Sequence, residues 1–251
     1  MIVADAFPMY DLPALSSVNE ALLTALRALL REEGATGDAS VTQICGYPLR
    51  TVYRGRFTLL GTPCYRVPGC DGASHRAFVV VPRGSRAERI ADLRGQRFAL
   101  NSMHSNTGMN LPRHLFARFA EAGTFFGEVI ETGTHHASIR ALLEGRADAA
   151  SIDCVTFALH ADYEPGAIGG LRILAQTSAS PSIPFVTSSA TERGVVRAMR
   201  RALVQLSAHP DFAWIRRALR IGRIQAVHEG EYDVLLDYEA EAAALGYPRL
   251  A

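Results

Sequence analysis

FALNSMHSNTGMNLPRHLF, residues Phe98–Phe116, runs from a short apolar strand into Asn101, through a polar turn, and into a helix starting near Asn106. The spacing predicts a strand over Arg97–Asn101 and a helix to about Glu121. Ser105, Asn106, Thr107 and Gly108 then lie at a helix N-terminus, just outside the carboxyl end of a strand, where open α/β sheets bind ligands. Backbone N–H groups and the positive end of the helix dipole favour an anion there. The Ser and Thr hydroxyls add neutral donors, and Gly108 admits a close approach to the backbone. A bland alternative is that Ser105 or Asn106 is only an N-cap.

The same pattern repeats downstream in GTHHASIRALLEGRADAASIDCV, Gly133–Val155. A strand over Glu128–Thr132 leads into a turn carrying His135 and His136, then a helix over Ser138–Glu144. A further strand over Ala147–Ile152 ends at Asp153, which can face the same crevice. Adjacent histidines seldom share one ion, and there is no H-x-x-x-H or H-E-x-x-H, so no metal site and no cofactor is expected. No G-x-S-x-G elbow appears, which argues against a hydrolase triad.

Outward from this block, short apolar runs keep alternating with amphipathic stretches, the α/β pattern. Upstream, the pattern predicts a strand over Ile2–Ala6 and a helix over Val18–Glu33, with Ser17 and Glu20 as capping box and Gly34 as stop. Strands follow over Val41–Cys45, Phe57–Gly61 and the buried run Phe78–Pro82, then a short helix over Arg86–Arg94. Tyr10 in PMYD and Tyr47 in CGYPL fall after the first two strands, placed to clamp a ligand or simply to pack. Downstream come a helix over Cys154–Ala161, a strand over Leu171–Thr177 and a Ser/Pro-rich connector, SASPSIPF. A helix over Arg193–Ala208, capped by Ser189 and Glu192, and two more helical stretches close the chain. Two arrangements fit: two sequential domains, or a middle block (83–178) inserted into a lobe made of 1–82 and 179–251. The second has two crossings and therefore a hinge.

Composition narrows the chemistry. The chain has 251 residues, enough for one large domain or two lobes, with 48% hydrophobic and 20% charged residues, as in globular proteins. All 26 basic residues are arginine; without lysine there is no Schiff base and no P-loop lysine. A net charge of +1 argues against a nucleic-acid partner. Cys45, Cys64, Cys70 and Cys154 are too few for a disulfide scaffold, although Cys70 could pair with Cys45 or Cys64 in an oxidising compartment. No stretch approaches the roughly 18 apolar residues of a membrane span. The start, MIVADAFPMYD, lacks a basic n-region, so as written the chain is expected in the cytoplasm, or in the periplasm if a leader was removed.

Taken in order, PMYD, CGYPL, the FVVV run, DLRGQRFALNSMHSNTG and GTHHASIRALLEGRADAASID resemble the phosphonate/phosphite/phosphate-binding branch of the type 2 periplasmic binding proteins. The resemblance implies two α/β lobes joined by a two-crossing hinge that close on an oxyanion. It implies that Ser105, Asn106, Thr107 and Gly108 cradle the anion. Thr134–His135 matches the family's Ser-His turn and Asp153 its acidic residue, while Tyr10 and Tyr47 match first-lobe aromatics. Where relatives carry Tyr or Ser before the FVVV strand, this chain has Ser74–His75–Arg76–Ala77, so His75 or Arg76 could supply a positive contact instead. The implied role is that of a non-enzymatic binding protein presenting its ligand to an ABC permease. Two other classes share the fold. One is a cytoplasmic enzyme or sensor for small carboxylic acids, similar to menaquinone-pathway proteins, using Asp153 with His135 or His136. The other, a transcription-regulator effector domain, is disfavoured because no helix-turn-helix precedes the first strand.

Overall fold

The structure is a computed structural model and describes residues 8–34 and 40–251. The expected strand over Ile2–Ala6 lies outside the described residues. The chain forms two compact units. The first comprises Met1–Arg66, Cys70–Ser74 and Pro181–Glu231; the second comprises Val67–Gly69, His75–Ser180 and Tyr232–Ala251.

In the first unit a four-stranded antiparallel sheet has the order Thr42–Gln43, Phe185–Ser188, Phe57–Tyr65, Ile221–Gln225. The helix Ser16–Glu32 turns Leu22, Leu26 and Leu29 inward, the three-to-four spacing of one helix face. It packs with the helix Arg193–Ala208, which buries Met199, Ala202, Leu203 and Leu206. The expected capping box is absent: the helix begins at Ser16 after Leu15, and no side chain caps it. Gly34 does follow its end, at φ +70°, a backbone state that costs a side-chain-bearing residue energy. The strand from Phe57 runs on to Tyr65, past the expected end at Gly61, because Thr62 to Tyr65 find partners on Ile221–Gln225. That last strand lies in the closing part of the chain, for which helical stretches alone were expected; IGRIQ buries Ile221 and Ile224 in the sheet.

In the second unit five strands lie in the order Glu128–Glu131, Arg97–Leu100, Ala149–Asp153, Ala77–Pro82, Leu171–Gln176. The first three run parallel, and Ala77–Pro82 runs antiparallel to both its neighbours. Phe78 to Val81 are at most 2% exposed, as a strand covered on both faces must be. An apolar run of that kind needs a partner on each side, so this strand belongs to the second unit and not, as expected, to the lobe ending at residue 82. The C-terminal segment also differs from expectation. Its helix Val234–Ala244 and the residues to Ala251 join the second unit. Arg113 donates to the Pro248 carbonyl at 3.1 Å, Asn110 to the Leu235 carbonyl at 3.0 Å, and the Ala251 carbonyl accepts the Phe125 and Phe126 amides. The chain thus passes between units after Ser74, after Ser180 and again after Glu231, besides the excursion Val67–Gly69. Ser74–His75 and Ser180–Pro181 pair as two short strands at the first two of these crossings.

No helix among the described residues is long and apolar enough to cross a membrane. Among the described residues no disulfide is formed, so Cys70 is bridged to neither Cys45 nor Cys64.

Candidate functional site

Ser105 sits in extended backbone after the strand Arg97–Leu100, and its hydroxyl accepts the Gly108 amide at 3.0 Å. This is the N-cap arrangement that satisfies one of the orphan amides of a helix start. The next residues, Asn106–Asn110, form a π-helical turn in which the Asn110 amide reaches the Ser105 carbonyl at 3.0 Å. The α-helix proper is only Leu111–Ala117, shorter than the continuous helix expected to Glu121. A π-turn adds one residue to the helical circuit and re-aims the side chains on it, and such turns concentrate at functional sites. Ser105 to Asn110 are all buried. A Cβ on Gly108 would stand 1.8 Å from Asn101 Oδ1, so the space beside this glycine is taken by the Asn101 side chain.

The hydroxyl and amide groups of the turn are tied into the unit around it. Thr107 Oγ1 lies 3.1 Å from His135 Nε2, and the Thr107 carbonyl accepts from Ser151 Oγ at 2.5 Å. Asn106 Nδ2 donates to Ser180 Oγ at 2.9 Å. His135 opens the helix His135–Leu143, three residues earlier than expected, with Thr134 Oγ1 capping the Ala137 amide at 3.0 Å. Burial pushes the His135 imidazole down to about 4, against the opposing pull of Asp153 and the Ser151 backbone. The ring is therefore neutral at pH 7 and offers one donor and one acceptor. With the proton on Nε2 it donates to Thr107 and leaves the threonine hydrogen for a third group. With the proton on Nδ1 it accepts the Thr107 hydrogen.

Asp153 ends the neighbouring parallel strand, and register explains its partner. Ala77 pairs with Asp153 across antiparallel strands, which brings His75, two residues before Ala77, alongside. His75 Nδ1 lies 2.9 Å from Asp153 Oδ2, and both side chains are 1% exposed. Asp153 Oδ1 accepts the Val155 and Thr156 amides at 2.9 and 3.0 Å and so caps the following helix. Burial alone would raise the Asp153 carboxyl; the hydrogen bond from His75, the neighbouring His75 and His135 imidazoles, and the Thr156 amide hold it below the ordinary carboxylate value.

The second unit thus brings together Ser105, Asn106, Thr107, Gly108 and His135, with Asp153 and His75 adjoining. Arg76 turns to the Thr177 carbonyl at 2.7 Å. Tyr10 and Tyr47 belong to the first unit, and both are buried, Tyr10 in the turn Pro8–Tyr10 and Tyr47 in the helical turn Gly46–Arg50. Tyr10 stands edge-on to Tyr65 at 5.3 Å, whose hydroxyl accepts from Gln43 at 3.3 Å. Asn101, Ser151 and Ser180 were not singled out from sequence, because their roles exist only once strand ends and the connector are placed beside the turn.

The two α/β units have the fold of the type 2 periplasmic binding proteins, as superposition on solved structures shows. A binding-protein component of an ABC phosphonate transporter from Pseudomonas aeruginosa superposes with TM-score 0.77 at 11% identity, over 96% of this chain and 85% of that one. PhnD1 from Prochlorococcus marinus, in complex with methylphosphonate, gives 0.64 at 14% identity over 88% and 83%. XAC2383 from Xanthomonas citri, bound to ATP, gives 0.63 at 15% identity over 92% and 93%. No match was found among curated protein sequences. The family model for the periplasmic substrate-binding protein of phosphonate ABC transporters matches residues 14–232. This chain belongs to that family.

Proposed function

We propose that this chain captures a small tetrahedral phosphorus oxyanion, a phosphonate, phosphite or phosphate, on the Ser105–Gly108 turn and hands it to an ABC permease without chemical change. The observation that carries the reading is the N-capped π-turn at a strand end with the Thr107 hydroxyl coupled to a neutral imidazole. Backbone amides at a helix start attract an anion, and neutral donors pair with its oxygens without a buried counter-charge. Asp153, adjoining through His75 and His135, disfavours a fully deprotonated dianion and favours a singly protonated one. A site that pairs each oxygen rejects analogues that leave a polar group unpaired. Tyr10 and Tyr47 enter the proposal as ligand contacts through the family resemblance, and each is tested by its phenylalanine variant. The family's periplasmic setting supports capture on the outer side of an inner-membrane importer.

Calorimetric titration with methylphosphonate, aminoethylphosphonate, phosphite, phosphate, sulfate and acetate tests the reading. At least one phosphorus oxyanion should bind and be recovered unchanged by phosphorus NMR. Thr107→Ala should weaken that binding by about tenfold, the cost of one lost hydrogen bond of roughly 1.4 kcal/mol. Absence of binding by every phosphorus oxyanion, or an unchanged affinity in Thr107→Ala, removes the turn from the site.

A further inference from the structure

We propose that His136, His160 and Glu164 form a binding site for a divalent transition-metal ion of the zinc or nickel type on the second unit. Their candidate ligand atoms all lie within 4.8 Å of one another. Glu164 Oε2 is 2.8 Å from His160 Nδ1 and 3.7 Å from His136 Nδ1, so one carboxylate oxygen faces both imidazoles. The two rings stand nearly parallel, 24° apart, with centroids at 5.3 Å. Ligand atoms about 2.0–2.1 Å from a tetrahedral ion sit about 3.3 Å from each other, and the two observed separations bracket that spacing.

The ligands come from two helices and differ in freedom. His160 and Glu164 are four residues apart along one helix and its cap, the spacing that puts two side chains on one face. His136 is the second residue of the helix His135–Leu143. The His160 side chain is 1% exposed and fixed, whereas those of Glu164 and His136 are 30% and 50% exposed. An ion can therefore enter from solvent, and the more exposed ring can close the last few tenths of an ångström. A hydrogen bond from His160 to Glu164 explains two of the three groups; a shared ion accounts for all three. An ion bound at His160 Nδ1 takes the place of the proton shared with Glu164, and the neutral imidazole carries its single proton on Nε2 instead. Three protein ligands leave a fourth position for water, and two imidazoles with a carboxylate suit zinc or nickel and not magnesium or calcium. The expectation of no metal rested on spacing along the chain, where His136 and His160 are remote; only the packing of the two helices joins them.

The test uses the full chain freed of metal with a chelator and titrated calorimetrically with zinc chloride, nickel chloride and magnesium chloride. Zinc and nickel should bind with a stoichiometry near one, and magnesium should not. His136→Ala and Glu164→Gln, both at solvent-accessible positions, should each weaken zinc at least about tenfold, a loss typical of disturbing a metal shell. His209→Ala, an exposed histidine elsewhere, should leave affinity unchanged. X-ray absorption of the zinc form should show two nitrogen ligands from imidazole. Equal affinity in His136→Ala and the unaltered protein, an equal loss in His209→Ala, or no saturable zinc binding overturns the proposal. None of these readouts depends on an oxyanion.

Discussion

Replacing Gly108 with alanine puts a methyl group where a side chain already stands. The new Cβ falls 1.8 Å from Asn101 Oδ1, 3.0 Å from Asn101 Cγ and 3.2 Å from Ser105 Cβ. The first distance is roughly 1.5 Å shorter than nonbonded heavy atoms tolerate. Either the π-turn shifts or Asn101, whose Oδ1 is shielded from solvent, swings out of its place. Overpacking of this kind costs about 1–3 kcal/mol. For a chain of this length each kcal/mol lowers the melting temperature by about 2–4 °C, so Gly108→Ala should melt roughly 4–8 °C lower at the middle of that range. The cause is isolated by a double-mutant cycle in scanning calorimetry. Asn101→Ala vacates the space, so adding it to Gly108→Ala should recover most of the loss, with a coupling of at least about 1 kcal/mol. If Gly108→Ala melts within about 1 °C of the unaltered protein, or the second substitution recovers nothing, the steric reasoning is wrong.

Stability should fall on mild acidification. His135 is held at about 4, chiefly by burial, against 6.5 for a solvent-exposed histidine, so the unfolded chain takes up a proton that the folded one refuses. The contribution is whole above about pH 6.5 and is lost as pH falls toward 4, roughly 3 kcal/mol in all; His135→Gln should flatten melting temperature over that window. Asp153→Ala removes a helix cap and strands His75 in the interior, which should cost about 3–5 kcal/mol by thermal melting, and a loss below about 1 kcal/mol would show that the pair is idle. Arg113→Ala, which breaks bonds to the Pro248 carbonyl and Asn110, should raise amide hydrogen exchange in the helix Val234–Ala244 before the rest of the unit; uniform exchange would refute that anchoring role.

The strand–turn–helix over Phe98–Phe116 was readable because strand and helix patterns differ over short windows, and the turn residues carry hydroxyls and glycine that few other roles need. The α/β class followed from its repetition. What escaped were features decided by neighbours in space. IGRIQ at Ile221–Gln225 is a strand because it pairs with the edge left open at Thr62 to Tyr65, which lies about 160 residues earlier in the chain. The extra residue of the π-turn leaves no mark in a hydrophobic period. Asp153 was legible as a strand-end carboxylate, but its bond to His75 follows from a register that no single segment encodes. Tyr10 and Tyr47 were placed by their Pro and Gly neighbours as aromatics for a clamp, and their burial in the first unit could not be read that way.

The return of Tyr232–Ala251 to the second unit bears on how the chain matures. The first unit needs the strand Ile221–Gln225 to complete its sheet, and the second needs the helix Val234–Ala244 to cover Asn110 and Arg113. A ribosome emitting this chain in order has therefore exposed both sheets well before it supplies the piece that closes either one. Contacts of such long sequence separation are paid for in loop entropy before they are rewarded, which slows folding. Both units finish late and nearly together, so each keeps an uncovered edge or face until residues 221–244 have been made.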